Sequence, residues 1–263
     1  MNCLVSSPSA PPIAAGPYQI RLAQNAGDML AAQRLRFEVF NIELNLGFDA
    51  SYLSGLDRDR FEAGCDHLLI EEVSTGAVVA TCRLQTGQLA ALNLGYSHAR
   101  QFDFAPFDSI RFELVEVSRA CLHLEHRERN VLNLLWRGIT LYSFARRARY
   151  LIGCSSHPTQ NAALGAAMYA SLGEENLAPE QFRTVARKTH TLPHTAEPGD
   201  QPTTIPHLLR AYLAIGAKVC GPPALDPEFK TIDFLTLLDL ESLTEAARQN
   251  LLGCSSSAGP KSK

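Results

Sequence analysis

Residues 111–156 constrain the fold more than any other segment, because they read as a strand, a long helix and a second strand in succession. RFELVEVSRACL (111–122) is rich in β-branched residues, and residues 130–148 carry apolar side chains at helical spacing. YLIGCSS (150–156) begins with a nearly continuous apolar run, which is typical of a strand buried on both faces. This order predicts a strand–helix–strand unit inside a mixed α/β fold.

The remaining periodicity predicts elements on both sides of this unit. YQIRLA reads as a strand, Asp28 to Asn45 as a helix, and HLLIEEV and AVVATCRLQ as a hairpin joined by STG. Downstream, FRTVAR predicts a strand, IPHLLRAYLAIGA a helix, KVCGPPALD a strand with a turn, and TIDFLTLLDL a last strand. We expect an α/β (α+β) domain, with a central mixed sheet flanked by helices, over residues 18–251, and disordered tails at 1–17 and 252–263.

Composition excludes several classes of partner. Hydrophobic residues make up 46% of the chain and the net charge is −3, so no global charge attracts nucleic acid or an anionic membrane. The seven cysteines form no CxxC pair, which predicts reduced core thiols and no metal site. The chain has no signal-peptide pattern and no run of about 18 apolar residues, so we expect a cytoplasmic protein with at most peripheral membrane contact.

Glu116 is the first candidate for chemistry. Strict alternation places Leu114, Glu116 and Ser118 on one face of the strand, with Arg119 on the other. An apolar setting would raise the pKa of Glu116, which suits a general base that deprotonates an amine. A buried Glu116–arginine pair that only fixes the packing explains the same pattern, and the strand alone does not separate the two interpretations.

Other charged residues suggest binding sites for a substrate. Arg127 and Arg129 precede the long helix, where guanidinium groups and the helix N-terminus together favour a phosphate group, although a solvated basic face has the same pattern. Further upstream, carboxylates suited to an amino group and arginines suited to a carboxylate occur together. These are Arg36, Asp57, Asp59, Asp66 and Arg83.

Several motifs resemble one branch of the GNAT superfamily. CDHLLI, SRACLH, LLWRGI and IPHLLRAYLAIGAKVCG are similar to segments of the L-ornithine N(α)-acyltransferases, within a branch that also contains acyl-homoserine-lactone synthases and N-acyl amino acid synthases. The resemblance implies a GNAT fold with a bulge in the strand that carries Glu116. It also implies catalytic roles for Glu116 and Arg119, and a substrate cluster of Arg36, Asp57, Asp59, Asp66 and Arg83.

The resemblance further implies the reaction and the donor. A long-chain fatty acyl group, 3-hydroxylated or not, would pass to the α-amine of an amino acid, ornithine in the most similar group, to give a lyso-ornithine lipid. RERNVL stands where acetyl-CoA-dependent members carry a glycine-rich loop, which favours an acyl-phosphopantetheine donor on an acyl carrier protein over acyl-CoA, with no tightly bound cofactor. The residues expected to bind the acidic carrier are Arg127, Arg129, Arg146, Arg147 and Arg149.

Two alternatives stay open at this stage. One is an acyl-homoserine-lactone-type synthase that uses S-adenosylmethionine, against which the C-terminal extension and LLWRGI argue. The other is a non-catalytic GNAT module that binds an acyl carrier or a lipid, against which the presence of both Glu116 and Arg119 argues.

Overall fold

A computed structural model describes residues 12–127, 129–193, 205–243 and 247–249, with the backbone alone at residue 129. Within these residues one sheet has the order β1-β2-β3-β4-β5-β6-β9-β7, and β8 also pairs with β9. The strands are β1 (Ile13–Ala15), β2 (Tyr18–Leu22), β3 (Asp66–Glu72), β4 (Val78–Thr86), β5 (Leu114–Leu122), β6 (Tyr150–His157), β7 (Lys218–Val219), β8 (Ala224–Asp226) and β9 (Thr231–Asp239).

Helices cover the sheet and supply both core layers. They are α1 (Ala26–Phe37), α2 (Gly87–Leu92), α3 (Arg129–Ala145), α4 (Ala162–Ala170) and α5 (His207–Ala214). Leu135 and Ile139 of α3 pack with Val115 of β5 on one face, whereas Leu114 packs with Phe102 on the other. Burial of each such side chain contributes roughly 1.5–3 kcal/mol, so β5 is fixed from both sides.

β5 and β6 form the parallel pair, and they separate part of the way along. Their pairing runs from Leu114 opposite Tyr150 to Glu116 opposite Ile152, although both strands continue beyond these residues. At the point of separation a Cβ on Gly153 would lie 2.6 Å from the carbonyl oxygen of Val117. Glycine is therefore required where the two backbones approach most closely before they split.

A bulge in β5 redirects the side chains that follow it. Thr81 of β4 lies opposite Cys121, but Arg83 lies opposite Ser118, so β5 carries one extra residue. Arg119 has φ +53°, in the left-handed region. The bulge implied by the family resemblance is therefore confirmed, and the strict alternation predicted for β5 fails after Ser118 because of it.

Several predicted boundaries need correction. The helix predicted to Asn45 is α-helical only to Phe37 and continues as a π-helix over Glu38–Glu43. The strand predicted at FRTVAR is wrong, because the segment forms a 3₁₀ turn (Glu180–Phe182) and one isolated bridge between Phe102 and Ala186. β1 lies inside the segment predicted as an N-terminal tail, whereas the tail predicted at 252–263 lies outside the described residues.

Candidate active site

A cavity of about 430 Å³ lies at the split between β5 and β6. This volume is within the range of about 300–1,000 Å³ that ligand sites commonly have. Val117 and Ser118 line it from β5, and Leu151 and Cys154 line it from β6. Because the strands are unpaired here, the cavity reaches both faces of the sheet.

The two halves of the cavity differ in polarity. The half beside α3 and α5 is apolar and is lined by Val117, Trp136, Leu151, Leu208, Tyr212, Ile215, Ala217 and Leu238. The rings of Trp136 and Tyr212 meet edge to face at 5.5 Å, which joins the two helices over this half. The other half holds the polar lining residues, which are Asp59, Arg83, Ser97, His98, Gln101, Ser118, Arg119, Ser156, Asp226 and Asp233. Apolar side chains also line it, among them Phe48 and Phe229 beside Arg119.

Most of the charged residues expected to bind the substrate form one buried network. Arg36 Nε lies 2.9 Å from Asp57 Oδ1, and Arg36 Nη2 lies 2.8 Å from Glu62 Oε1. Arg83 Nη1 lies 2.6 Å from Asp59 Oδ1 and 3.1 Å from the same Glu62 oxygen. With Arg119, the network holds three arginines and three carboxylates, so its formal charges balance.

The members of this network differ in whether they line the cavity. Arg36 and Asp57 are almost fully buried and do not line the cavity, so they support the network rather than contact a ligand there. Asp59, Arg83 and Arg119 do line it. Burial raises the pKa of Asp59, but the charges of Arg83 and Arg119 outweigh it and lower that pKa below its usual value.

Arg119 is the member that the bulge turns towards the cavity. Its Nε lies 3.3 Å from Asp57 Oδ1, and its Nη2 lies 3.3 Å from Asp59 Oδ2. Its guanidinium group also stacks on two aromatic rings, those of Phe48 and Phe229. Cation–π contact and ion pairing together fix its orientation at the edge of the polar half.

Glu116 does not have the raised pKa expected from its apolar neighbours. Its Oε2 accepts hydrogen bonds from Ser97 N (2.9 Å) and Ser97 Oγ (2.8 Å), and its Oε1 accepts from His98 N at 2.8 Å and contacts His98 Nδ1 at 2.8 Å. Burial alone would raise the pKa, but the charge of His98 and these hydrogen bonds lower it to about 2. The expectation of a raised pKa was therefore wrong.

His98 is a site residue that the sequence did not single out. It lies in a 3₁₀ turn (Ser97–Arg100), and it lines the polar half of the cavity with a side chain that is 13% exposed. Because a 3₁₀ turn has no apolar periodicity, the sequence gives no pattern that points to this residue. Glu62, which also escaped prediction, joins the two arginines of the network.

A second feature missed from the sequence is a pair of buried carboxylates, Asp226 and Asp233. Gln101 Nε2 donates to both, at 2.6 Å to Asp226 Oδ2 and 2.8 Å to Asp233 Oδ2. Among the described residues, neither carboxylate has an ion pair with lysine or arginine. Burial raises the pKa of Asp233, and the nearby Asp226 raises it further although Ser156 and Thr231 donate hydrogen bonds to it.

Asp66 was expected in the substrate cluster, but the structure separates it from that cluster. Its Oδ2 accepts from Tyr142 Oη at 2.7 Å and lies 3.1 Å from Arg146 Nη2, both beside α3. The next residue, His67, points to the opposite face of β3 and contacts Arg36. Alternation along the strand therefore directs Asp66 away from the network.

The five arginines expected to bind an acyl carrier do not form one surface. Arg127 and Arg129 lie at the start of α3, whereas Arg146, Arg147 and Arg149 follow its end, about 25 Å away at 1.5 Å per residue. Arg127 pairs with Glu43 at the end where β5 and β6 are split. Arg149 pairs with Asp239 and Glu241 at the end where the strands are joined. The five arginines therefore lie in two groups at opposite ends of α3.

Two features are absent from the described residues. No group of three or more His, Cys, Asp or Glu is arranged to hold a metal ion. No helix in the same part of the chain has the length and apolar character needed to cross a membrane.

Comparison with known proteins identifies the family. A family model for the acetyltransferase (GNAT) domain matches residues 35–137. An L-ornithine N(alpha)-acyltransferase of Rhodobacter capsulatus is 32% identical over 251 residues, which cover 90% of this chain and 96% of the relative. A second L-ornithine N(alpha)-acyltransferase, from Agrobacterium fabrum, is 30% identical over 87% of this chain and 83% of its own length.

A solved structure confirms the fold. The AHL synthase LasI superposes with a TM-score of 0.52 at 12% identity, over 90% of this chain and 95% of its own. At this identity the likeness concerns the fold alone, a mixed sheet flanked by helices as in other GNAT proteins. Sequence and fold agree with the resemblance inferred from the motifs, and the chain belongs to the family of the L-ornithine N(α)-acyltransferases.

Proposed function

We propose that this acyltransferase moves a long-chain fatty acyl group, 3-hydroxylated or not, from an acyl carrier protein to the α-amine of ornithine and so forms a lyso-ornithine lipid. The observation that carries the proposal is the cavity that crosses the sheet at the split between β5 and β6. Its apolar half suits an acyl chain and its polar half suits a charged amino acid. The names of the relatives support ornithine as the amine.

The acyl chain would lie between α3, α5 and the sheet. Trp136, Tyr212 and Leu238 give this half an apolar surface that extends away from the split. Burial of each methylene group there stabilises the bound chain by about 0.8 kcal/mol, so long chains are favoured over acetyl. The thioester carbonyl would then lie beside the bulge of β5, where backbone amides of the bulged strand would stabilise the oxyanion.

The amino acid would lie in the polar half. Arg119 and Arg83 line it, and so do the carboxylates Asp226 and Asp233. Ornithine has a carboxylate at one end and an ammonium group at the other, so an arrangement of cationic and anionic groups across one cavity fits it. Glu116 does not line the cavity, but it contacts His98, which does.

The donor would approach at the start of α3. Arg127 and Arg129 lie where the split opens, and an acidic carrier protein would be attracted to cationic side chains there. A cytoplasmic protein that contacts the membrane only peripherally would be consistent with an amphiphilic product. The other three arginines are not part of this proposal, because they lie at the opposite end of α3.

The experiment compares donors and amines with the purified protein. 3-Hydroxypalmitoyl-acyl carrier protein and 3-hydroxypalmitoyl-CoA are each supplied with ornithine, lysine or glutamine, and products are identified by mass spectrometry. We expect N-acyl ornithine, formed faster from the carrier-bound donor, and a loss of that preference in Arg127→Glu. Equal rates from both donors in both proteins would refute the carrier as the specific partner. Product that forms only when S-adenosylmethionine is added would indicate a lactone-type synthase.

A further inference from the structure

Four hydrogen-bonding groups surround the carboxylate of Glu116, and they limit the role that it can have in catalysis. Both of its oxygens are occupied by the backbone and side chains of Ser97 and His98, and its side chain is fully buried. A proton acceptor needs a lone pair directed at the substrate. Each oxygen of Glu116 already contacts two groups of the turn, so it is poorly placed to accept a proton from an amine in the cavity.

The same contacts fix the tautomer of His98. Ser97 N, Ser97 Oγ and His98 N all donate to the carboxylate of Glu116, and hydrogen bonds of this kind favour its ionised form, which can only accept. The 2.8 Å contact between His98 Nδ1 and Glu116 Oε1 therefore requires the proton on Nδ1. A neutral imidazole has one N–H, so Nε2 carries a lone pair.

Nε2 is also placed where an acceptor is needed. Among the described residues the imidazole of His98 makes its hydrogen bond through Nδ1, to Glu116, and none through Nε2. The ring lines the polar half of the cavity, together with Ser118 of the split strand. The backbone contact from His98 N to the same carboxylate oxygen further restricts the turn that holds the ring.

We propose that His98 Nε2 is the proton acceptor in acyl transfer and that Glu116 is the positioning residue that orients it. This inference rests on the proposed N-acyl transfer. The amine nitrogen forms a bond to the thioester carbonyl carbon, and Nε2 takes the proton that the nitrogen loses. The carbon–sulfur bond then breaks, and the imidazolium returns that proton to the thiolate, so a neutral amine and a thioester give an amide and a free thiol.

A Glu116→Gln variant distinguishes positioning from simple packing. An amide is nearly isosteric with the carboxylate, but one of its ends is an NH₂ donor. In either orientation that NH₂ faces donors, Ser97 N at one end or His98 N and Nδ1–H at the other. The second orientation also draws the imidazole proton to Nε2 and removes the lone pair.

The test uses the purified full chain with ornithine and 3-hydroxypalmitoyl-acyl carrier protein, with thiol release and N-acyl ornithine both quantified. We expect His98→Ala to lower kcat by about 10²- to 10⁴-fold with a smaller change in KM, and Glu116→Gln to lower kcat in a similar range. Added imidazole should restore part of the activity of His98→Ala and none of that of Glu116→Gln, in which His98 still fills the position.

His157→Ala is the matched control, because His157 is half-buried on β6 but does not line the cavity. Its kcat should equal that of the wild type, with or without imidazole.

The outcomes separate this inference from the proposed function. If the wild-type protein forms no N-acyl ornithine, the proposed function fails first. If it does, a folded His98→Ala protein with wild-type kcat overturns the inference, as does a loss in His98→Ala that imidazole does not restore. Should His98→Ala fail to fold by circular dichroism, His98→Gln serves instead. Wild-type kcat in folded His98→Gln would also overturn the inference.

Discussion

The guanidinium carbon of Arg119 lies 4.3 Å from the centre of the Phe229 ring. Phe229 follows β8, whereas Arg119 lies in the bulge of β5, so the contact joins two parts of the chain across the opening of the cavity. The ring of Phe48 lies 4.9 Å from the same carbon and meets the ring of Phe229 edge to face at 5.5 Å. The bulge, with its left-handed Arg119, is thus held in place by aromatic rings as well as by Asp57 and Asp59.

The first prediction follows from this contact. Arg119→Lys keeps the charge but loses the planar group that contacts both rings and reaches both carboxylates. We expect kcat/KM for N-acyl ornithine formation to fall by about 10- to 100-fold, which corresponds to roughly 1–3 kcal/mol. Arg146→Lys, at the far end of α3, is the control and should retain wild-type kinetics. Equal kcat/KM in Arg119→Lys and the wild type would contradict the role given to the guanidinium group.

Asp233 is predicted to select a cationic amine substrate. Asp233→Asn preserves size and keeps one oxygen that can accept from Gln101, but it removes one charge. KM for ornithine should therefore rise by about 10- to 100-fold, the cost of losing a charged hydrogen bond. KM for glutamine, measured in the same protein, should change little. Asp239→Asn changes the same strand outside the cavity and should leave both values unaltered. A parallel rise for ornithine and glutamine would show that Asp233 supports the fold rather than selects the substrate.

Ala217 is predicted to limit the length of the acyl chain. It is buried in the apolar half of the cavity, and Leu in its place would occupy space that the chain would otherwise fill. We expect Ala217→Leu to shift the product profile towards shorter acyl groups, read by mass spectrometry with a mixture of acyl donors. Ala170→Leu, at the end of α4 and outside the cavity, should keep the wild-type profile. If both variants keep it, the acyl chain does not lie between α3 and α5.

The charged network predicts a pH dependence of stability through His67. Burial lowers the pKa of His67 from 6.5 to about 4, and the charges of Arg36 and Arg83 lower it too, although Glu62 opposes them. The unfolded chain therefore binds more protons than the folded one between pH 6.5 and about 4. Stability that His67 provides above pH 6.5 is lost as the pH falls through this window, on the order of 3 kcal/mol in all.

Urea unfolding of His67→Gln measures this contribution. The free energy of unfolding of His67→Gln should depend less on pH between 6.5 and 4 than that of the wild type. His207→Gln, at an exposed histidine that begins α5, should follow the wild-type curve. An unchanged slope in His67→Gln would mean that the buried imidazole is not the group that titrates.

The pattern of apolar residues along the chain was sufficient to predict many strands of the sheet. The hairpin of β3 and β4 follows from apolar runs around a three-residue turn, and β6 from its continuous apolar run. The bulge did not follow, because an extra residue inside a strand leaves the letters around Arg119 unchanged. The resemblance to a known family supplied it instead.

The contacts that build the candidate site could not be predicted from local sequence patterns. Ser97 and His98 contact Glu116 from a turn 18 to 19 residues upstream, and Asp226 and Asp233 come from the last strands of the sheet. Such contacts depend on tertiary packing, which periodicity does not encode. The separation of Arg127 from Arg149, by contrast, follows from the length of a helix and was available from the sequence.

Mass spectrometry of lipid extracts is the most direct test of acyl transfer to ornithine by this protein. Cells that lack ornithine lipids are made to express the wild-type protein or Arg119→Ala, and both proteins are checked for soluble expression. We expect a new long-chain N-acyl ornithine in the wild-type extract and little or none with Arg119→Ala. An extract with no new N-acyl amino acid, from cells that contain the folded wild-type protein, ornithine and acyl carrier protein, would contradict acyl transfer and favour a module that binds acyl groups without turnover.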